Sequence, residues 1–273
     1  MEEKFKSDAF EAIHSAASGM KKIGIITKES THQFDESCIK NTEYMIETSF
    51  FNSVSDAASR VYDRACRTDF SAPGFALLRQ SHIKDSLQHR KELVELKDAL
   101  SDIHQNKSGN KLGWFTMSRF DQKNTTKLHR DGGPDQSLLI LGYEPTSVQC
   151  EVSMADYSKC AFDLKITPEE FLERHNPMHE EGLELLNPYI FKLTEFDTSA
   201  YQILIVNNSN CPFKTENPHW RGVLHGAVIE SSSAPRIINS TSVCPVNPGD
   251  EEGVSPERIE EFLQENAKLA DYV

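Results

Sequence analysis

Long apolar stretches and paired cysteine motifs are missing from this chain of 273 residues. The longest apolar runs, 138–141 and 203–206, are far shorter than the roughly 20 residues that a membrane-spanning helix needs. The N-terminal segment has no apolar core like that of a secretory signal, and the six cysteines show no C-x-x-C spacing. We therefore expect a cytoplasmic protein with reduced thiols and no membrane partner.

Positive charge is also scarce. The chain has 29 Lys and Arg residues against 42 Asp and Glu residues, which gives a net charge of −13. Such a surface repels phosphate on average, and no run of Lys or Arg offsets it, so we expect no nucleic-acid partner. The chain also lacks a P-loop, a glycine-rich dinucleotide motif after a predicted strand, and a Ser-His-Asp or Cys-His nucleophile pattern.

The first 105 residues predict helices. Ser7 can cap a first helix, and apolar residues recur at helical spacing over about 55–66 and 83–103. These amphipathic segments carry no candidate chemistry of their own. We expect them to pack on a sheet as a helical support region.

From about residue 113 the pattern changes to short strands bounded by Gly, Pro, Asn or Asp. Consecutive strands without helices between them favour antiparallel pairing, and hence a sandwich, jelly roll or barrel. The predicted strands are Trp114–Phe120, Ser137–Tyr143, Val148–Val152, Tyr189–Phe196, Tyr201–Val206, Gly222–Ile229 and Arg236–Val243.

Two later segments carry helix-start signals. Thr167 and Glu170 form a capping box that opens a short helix ending near Arg174. Ser255 can cap a tail helix that begins at Pro256.

These patterns predict a single domain over 1–273. Its parts are a helical support at 1–105, a jelly-roll core at 106–245 and a helical tail at 246–273. The longest insertion in the core, 156–188, is rich in acidic residues and is either a solvated loop or a lid over an active site.

One short motif has metal-binding chemistry. His129 and Asp131 are two residues apart between predicted strands, so in an extended chain both side chains project to the same face. An imidazole and a carboxylate are two of the three groups of the facial triad that suits Fe(II). His225 is the candidate third ligand, on a late strand, and Arg236 follows after ten intervening residues.

This order of H-x-D, a distal His and then Arg, all on short strands, resembles the 2-oxoglutarate- and Fe(II)-dependent dioxygenases over about residues 113–243. The resemblance implies an α+β protein whose core is a double-stranded β-helix, a jelly-roll variant shared with cupins, flanked by N-terminal helices and a C-terminal helix. It implies that His129, Asp131 and His225 bind iron and that Arg236 anchors the distal carboxylate of 2-oxoglutarate.

The resemblance also implies an oxidoreductase that uses O2, releases succinate and CO2, and hydroxylates a substrate. Asp131 favours hydroxylation, because the halogenating branch replaces this carboxylate with a small residue. The family often has Ser or Thr two residues after the arginine, whereas this chain has Ile238. We expect Thr116 or Ser118 to supply the missing hydroxyl.

Several alternatives remain open from the sequence alone. His219 is a rival to His225 as third ligand. The substrate is expected to be a small molecule, with an amino acid or amine favoured by the acidic insertion, or else a protein side chain. Other candidate functions are a cupin-type metalloenzyme without 2-oxoglutarate and a non-catalytic binding module.

Overall fold

The structure is a computed structural model that describes residues 15–16, 20, 44–48, 53–213, 219–230, 233–247, 249–250, 252–265, 267 and 269–270. The chain divides into two compact units, Met1–Glu43 and Tyr44–Val273, and the elements below belong to the second. The helix predicted to start after Ser7 falls mostly outside the described residues. Within them, no helix is long and apolar enough to cross a membrane.

Ten strands are present in the described ranges of the second unit. In chain order they are β1 Met45–Glu47, β2 Phe75–Arg79, β3 Lys111–Asp121, β4 Thr126–His129, β5 Leu138–Tyr143, β6 Cys150–Ala155, β7 Ile190–Lys192, β8 Gln202–Asn207, β9 Leu224–Ile229 and β10 Ile237–Val246.

The strands form two sheets. The large sheet has the order β1-β2-β8-β5-β10-β3, and the small sheet has the order β4-β9-β6-β7. Every neighbouring pair is antiparallel except β1 and β2. An apolar cluster that includes Leu139 and Leu204 of the large sheet and Val152 and Ala227 of the small sheet joins them face to face.

Six α-helices are described in the same unit. They are α1 Val54–Ala65, α2 Ser86–Ser108, α3 Tyr157–Leu164, α4 Pro168–Arg174, α5 Glu180–Leu186 and α6 Pro256–Phe262. The capping box of Thr167 and Glu170 is present at the start of α4, and Ser255 caps α6, as the sequence predicts. Helices α1 and α2 pack on the other face of the large sheet through residues such as Val61, Leu93 and Leu96.

The prediction that the first 105 residues are helical is wrong at β1 and β2. The sequence of β2, Phe-Ala-Leu-Leu-Arg, is buried on both faces because it lies between two strands and under helix α1. A strand covered on both sides has a continuous apolar run instead of alternation, and such a run does not distinguish a strand from part of a helix. The boundary at 105 therefore falls inside the sequence span of the large sheet.

The insertion 156–188 is mostly helical, although the sequence predicts one short helix there. Its helices α3 to α5 place Tyr157, Phe171 and Leu186 in one cluster with Leu128 of β4 and Leu224 of β9. Side chains alternate along a strand, so Leu128 and Leu224 face away from the neighbouring His129 and His225. The insertion thus packs against the back of the small sheet.

The five cysteines in the described part of the chain are free.

Two buried histidines of α2 make the stability of the fold pH-dependent. Burial lowers the pKa of both His89 and His104 to about 4. Below the unfolded pKa of about 6.5, the unfolded chain binds more protons than the folded one, so stability falls as the pH drops. We expect each histidine to cost about 2 kcal/mol of unfolding free energy between about pH 7 and pH 5.

Urea unfolding of the metal-free protein across this pH interval measures the loss. His104→Gln can keep the hydrogen bond that Tyr62 Oη makes with His104 Nδ1 over 2.8 Å. We expect this variant to lose less stability on acidification than the wild type. An identical pH dependence in the two proteins would contradict a neutral buried His104.

Candidate metal centre and cavity

Strand pairing brings the two motif histidines together. His129 at the end of β4 is the register partner of His225 on β9, and their ring centroids are 4.4 Å apart. Asp131 Oδ1 lies 3.1 Å from His129 Nε2 and 3.8 Å from His225 Nε2. One ligand atom from each residue lies within 4.8 Å of the others, so the three side chains form a group that could hold a metal ion.

The pKa shifts of His225 and Asp131 suit a metal, whereas a metal ion would have to displace the proton that the raised pKa of His129 favours. Burial lowers the pKa of His225 to about 4, which keeps its imidazole neutral. Burial raises the pKa of Asp131, but hydrogen bonding to His129 and the nearby positive groups outweigh it, and the net shift is downward. For His129, burial lowers the pKa, whereas hydrogen bonds to Asp131 and to the Lys127 carbonyl leave it raised overall. A charged carboxylate beside a neutral imidazole is the form in which these ligands bind divalent ions.

Asn208, directly after β8, holds the loop that carries Asp131. Its side-chain oxygen accepts a hydrogen bond from the backbone N–H of Asp131 at 3.0 Å, and its Nδ2 donates to the Asp131 carbonyl at 3.1 Å. The backbone carbonyl of Asn208 accepts a hydrogen bond from Arg130 Nε at 2.7 Å. Asn208 is 1% exposed, so these bonds fix the Asp131 backbone to the large sheet in a dry environment. Sequence reasoning missed Asn208, because an isolated asparagine 77 residues from Asp131 has no motif.

Arg236 is buried without an anionic partner among the described residues. It is 2% exposed, its Nη1 donates to Gln122 Oε1, and its Nη2 has no hydrogen-bond partner. The guanidinium lies 5.1 Å from the ring centroid of Tyr143. By contrast, the buried Arg67 pairs with Asp156 at 2.6 Å. A buried charge without a counter-ion is costly, and the open Nη2 is an available donor for an anion.

A cavity of about 490 Å³ lies between the two sheets, within the size range of small-molecule sites. It is lined by Thr116, Ser118, Phe120, Gln122, Thr126, His129, Asp131, Gly132, Leu139, Leu141, Tyr143, Val152, His225, Gly226, Ala227, Ile238, Ser240 and Ser242. All three residues of the metal group are in this lining, as are Gln122 and Tyr143, the two residues that touch the Arg236 guanidinium.

The remaining candidate residues do not make the contacts that the sequence predicts. His219 hydrogen-bonds to Gln136 through Nδ1 at 2.8 Å and is not part of the metal group. Thr116 and Ser118 do line the cavity, but neither bonds to the Arg236 guanidinium; Gln122 does. None of the described lining residues lies in 156–188, so the insertion does not contribute to the wall of this cavity, and a lid stays a prediction.

Comparisons with known proteins add little to this geometry. No protein-family profile and no curated protein matches the chain. Among solved structures, one similar chain is a variant of the iron and alpha-ketoglutarate-dependent endoperoxidase NvfI. It is 12% identical, the match covers 70% of this chain and 84% of that chain, and the TM-score is 0.33. The site and fold define an α+β protein with two facing sheets and a candidate His-Asp-His metal centre, and its function has to be argued from that site.

Proposed function

We propose that this protein is an Fe(II)- and 2-oxoglutarate-dependent dioxygenase with a double-stranded β-helix core, and that it hydroxylates a small molecule. The observation that carries the proposal is the unpaired, buried guanidinium of Arg236 beside a cavity that also contains His129, Asp131 and His225. A metal centre alone would fit many enzymes. A metal centre with a separate buried cation fits a co-substrate that bears a carboxylate.

The donor set fits the proposed groups. Two imidazoles and one carboxylate are the facial triad that suits Fe(II) and leaves positions open. Arg236 Nη2 would bind the distal carboxylate of 2-oxoglutarate, with Gln122 and Tyr143 holding the guanidinium in place. Iron, 2-oxoglutarate and O2 together would supply the oxidation, in which 2-oxoglutarate becomes succinate and CO2 while a substrate C–H becomes C–OH.

The chain itself would contribute orientation and exclusion of water. Asp131 would neutralise part of the metal charge, and the Asn208 amide would fix the backbone from which the carboxylate projects. Leu139, Leu141 and Val152 would keep the space between the sheets dry.

Anaerobic addition of Fe(II) and 2-oxoglutarate to the purified protein tests this function. We expect a visible metal-to-ligand charge-transfer band and, after oxygen is admitted, succinate. A protein that binds Fe(II) without developing the band on addition of 2-oxoglutarate would favour the cupin-type metalloenzyme. Failure to bind Fe(II) would leave only the binding module.

Asn208 offers a test of how the carboxylate ligand is positioned. We expect Asn208→Ala to weaken Fe(II) binding by about 10- to 100-fold, because partners that orient ligands have effects of this size. Isothermal titration under anaerobic conditions measures the affinity, and the band position reports the altered ligand field. The control is Asn176→Ala, which removes an exposed hydrogen bond that Asn176 Oδ1 accepts from the N–H of Met178 on the far side of the small sheet. It should leave the Fe(II) affinity and the band position unchanged. An Asn208→Ala protein that keeps wild-type metal affinity would show that the hydrogen bonds between Asn208 and the Asp131 backbone have only a structural role.

A further inference from the structure

The cavity wall formed by β3, β10 and β5 is ordered in three rows. Register pairs Ile238 with Phe120 and Tyr143 in the first row. The second row is Ser240 with Ser118 and Leu141, and the third is Ser242 with Thr116 and Leu139. All nine side chains line the cavity. The first row is apolar apart from its tyrosine, whereas the next two rows present four hydroxyl groups.

The hydroxyl rows lie away from Arg236. Ser240 is four residues further along the chain, so the Cα atoms of the two residues are about 13 Å apart in a strand. At the opposite end, the loop after Asp131 approaches β3, because a Cβ on Gly133 would lie 3.2 Å from the ring of Phe115, the neighbour of Thr116. The hydroxyls therefore line the end of the cavity nearer the Asp131 loop.

Two of these hydroxyls are available to a ligand. Thr116 Oγ1 and Ser242 Oγ bond to each other at 2.6 Å. Ser240 is only 9% exposed, and none of the described residues hydrogen-bonds to its hydroxyl. Ser118, its register partner, likewise has no side-chain partner in the described part of the chain. A hydroxyl that lines a cavity and has no partner among the described residues can donate a hydrogen bond to a ligand or accept one from it.

The charge of the wall restricts what that ligand is. Outside His129, Asp131 and His225, no described lining residue is Lys, Arg, Asp, Glu or His. Apart from the metal group, this wall therefore offers no counter-ion to a charged group that loses its hydration there. Hydroxyls, by contrast, both donate to and accept from neutral oxygen groups. The acidic insertion does not change this, because it packs behind the small sheet.

We propose that Ser118 and Ser240, with the Thr116–Ser242 pair beside them, form the binding wall for the primary substrate, and that this substrate is an uncharged, partly apolar molecule carrying an alcohol or carbonyl oxygen. Calling this ligand a substrate rests on the proposed dioxygenase function. The binding wall itself rests only on the positions of these side chains. It replaces the expectation of an amino acid or amine.

The test uses three probes that share one ring and differ in charge: cyclohexanol, cyclohexylamine and cyclohexanecarboxylate. Each is added to the protein with Fe(II) and saturating 2-oxoglutarate under anaerobic conditions, and binding is followed by saturation-transfer NMR of the probe. We expect cyclohexanol to bind most tightly. We expect Ser240→Ala to weaken its binding by about 2- to 10-fold, the loss of one hydrogen bond. Ser158→Ala, at a buried serine of α3 outside the cavity, is the matched control and should change nothing.

The outcomes separate this proposal from the proposed function. Three results would overturn the proposed binding wall even where the charge-transfer band forms. They are tighter binding of the amine or the carboxylate, no binding of cyclohexanol at its solubility limit, and equal affinity of the wild type and Ser240→Ala for cyclohexanol. Absence of the band, with cyclohexanol still bound in a Ser240-dependent way, would overturn the dioxygenase and keep the wall.

Discussion

Replacing His225 with alanine is expected to abolish turnover and to weaken Fe(II) binding by well over 100-fold. Loss of a group that merely orients a ligand already costs about 10- to 100-fold, and His225 would be a ligand itself. Its imidazole is buried, is held neutral because desolvation lowers its pKa to about 4, and lies 3.8 Å from the carboxylate of Asp131.

The fold should survive this change. His225 borders an existing cavity, and its Nδ1 has no hydrogen-bond partner, so the metal-free variant loses few contacts. We expect its Tm without metal to stay within a few degrees of the wild type, while the rise in Tm on adding Fe(II) disappears. Differential scanning calorimetry with and without metal measures both values.

His219→Ala is the matched control, because His219 is the rival third ligand and bonds to Gln136. It should bind Fe(II) like the wild type. The reverse result, with His219→Ala losing metal and His225→Ala keeping it, would disprove the proposed centre.

Replacing Arg236 with leucine is expected to abolish 2-oxoglutarate binding while Fe(II) binding stays unchanged. A charge-assisted bond in a dry site is worth about 2–5 kcal/mol when one partner is removed, which corresponds to a loss of roughly 30- to several thousand-fold in affinity. The charge-transfer band should therefore not form at 2-oxoglutarate concentrations that saturate the wild type.

The unfolding free energy distinguishes this effect from damage to the fold. The guanidinium has no counter-ion among the described residues, so removing it relieves a buried charge. We expect Arg236→Leu without ligands to be at least nearly as stable as the wild type in urea. The comparison variant Arg67→Leu breaks the buried pair with Asp156 and should be destabilised by about 3–5 kcal/mol. If Arg236→Leu unfolds as easily as Arg67→Leu, the arginine has a structural role instead.

Local patterns predicted much of this fold. Each of the seven predicted strand segments overlaps a strand, and the helix starts at Thr167 and Ser255 are where their capping residues indicate. Capping and alternation are properties of neighbouring residues, so a single sequence contains them. The double-stranded β-helix itself, like the iron and co-substrate, stays a proposal.

The sequence-based prediction failed for strand β2 and for helices α3 and α5. β2 is apolar on both faces, and α3 and α5 lie in an insertion whose acidic composition resembles a loop. The insertion packs behind the small sheet against Leu128 and Leu224. The sequence does not reveal these contacts, because they depend on how the strands pair.

The sequence by itself determined the candidate site residues: His129 and Asp131 in one motif, and His225 and Arg236 on later strands. Only the tertiary structure decided that the imidazoles of 129 and 225 are cross-strand neighbours, that Asn208 clamps Asp131, and that the Arg236 guanidinium is buried without a counter-ion among the described residues. The physical reason is that these facts are distances and environments between residues about 80 to 115 positions apart, which strand pairing creates and no local spacing encodes.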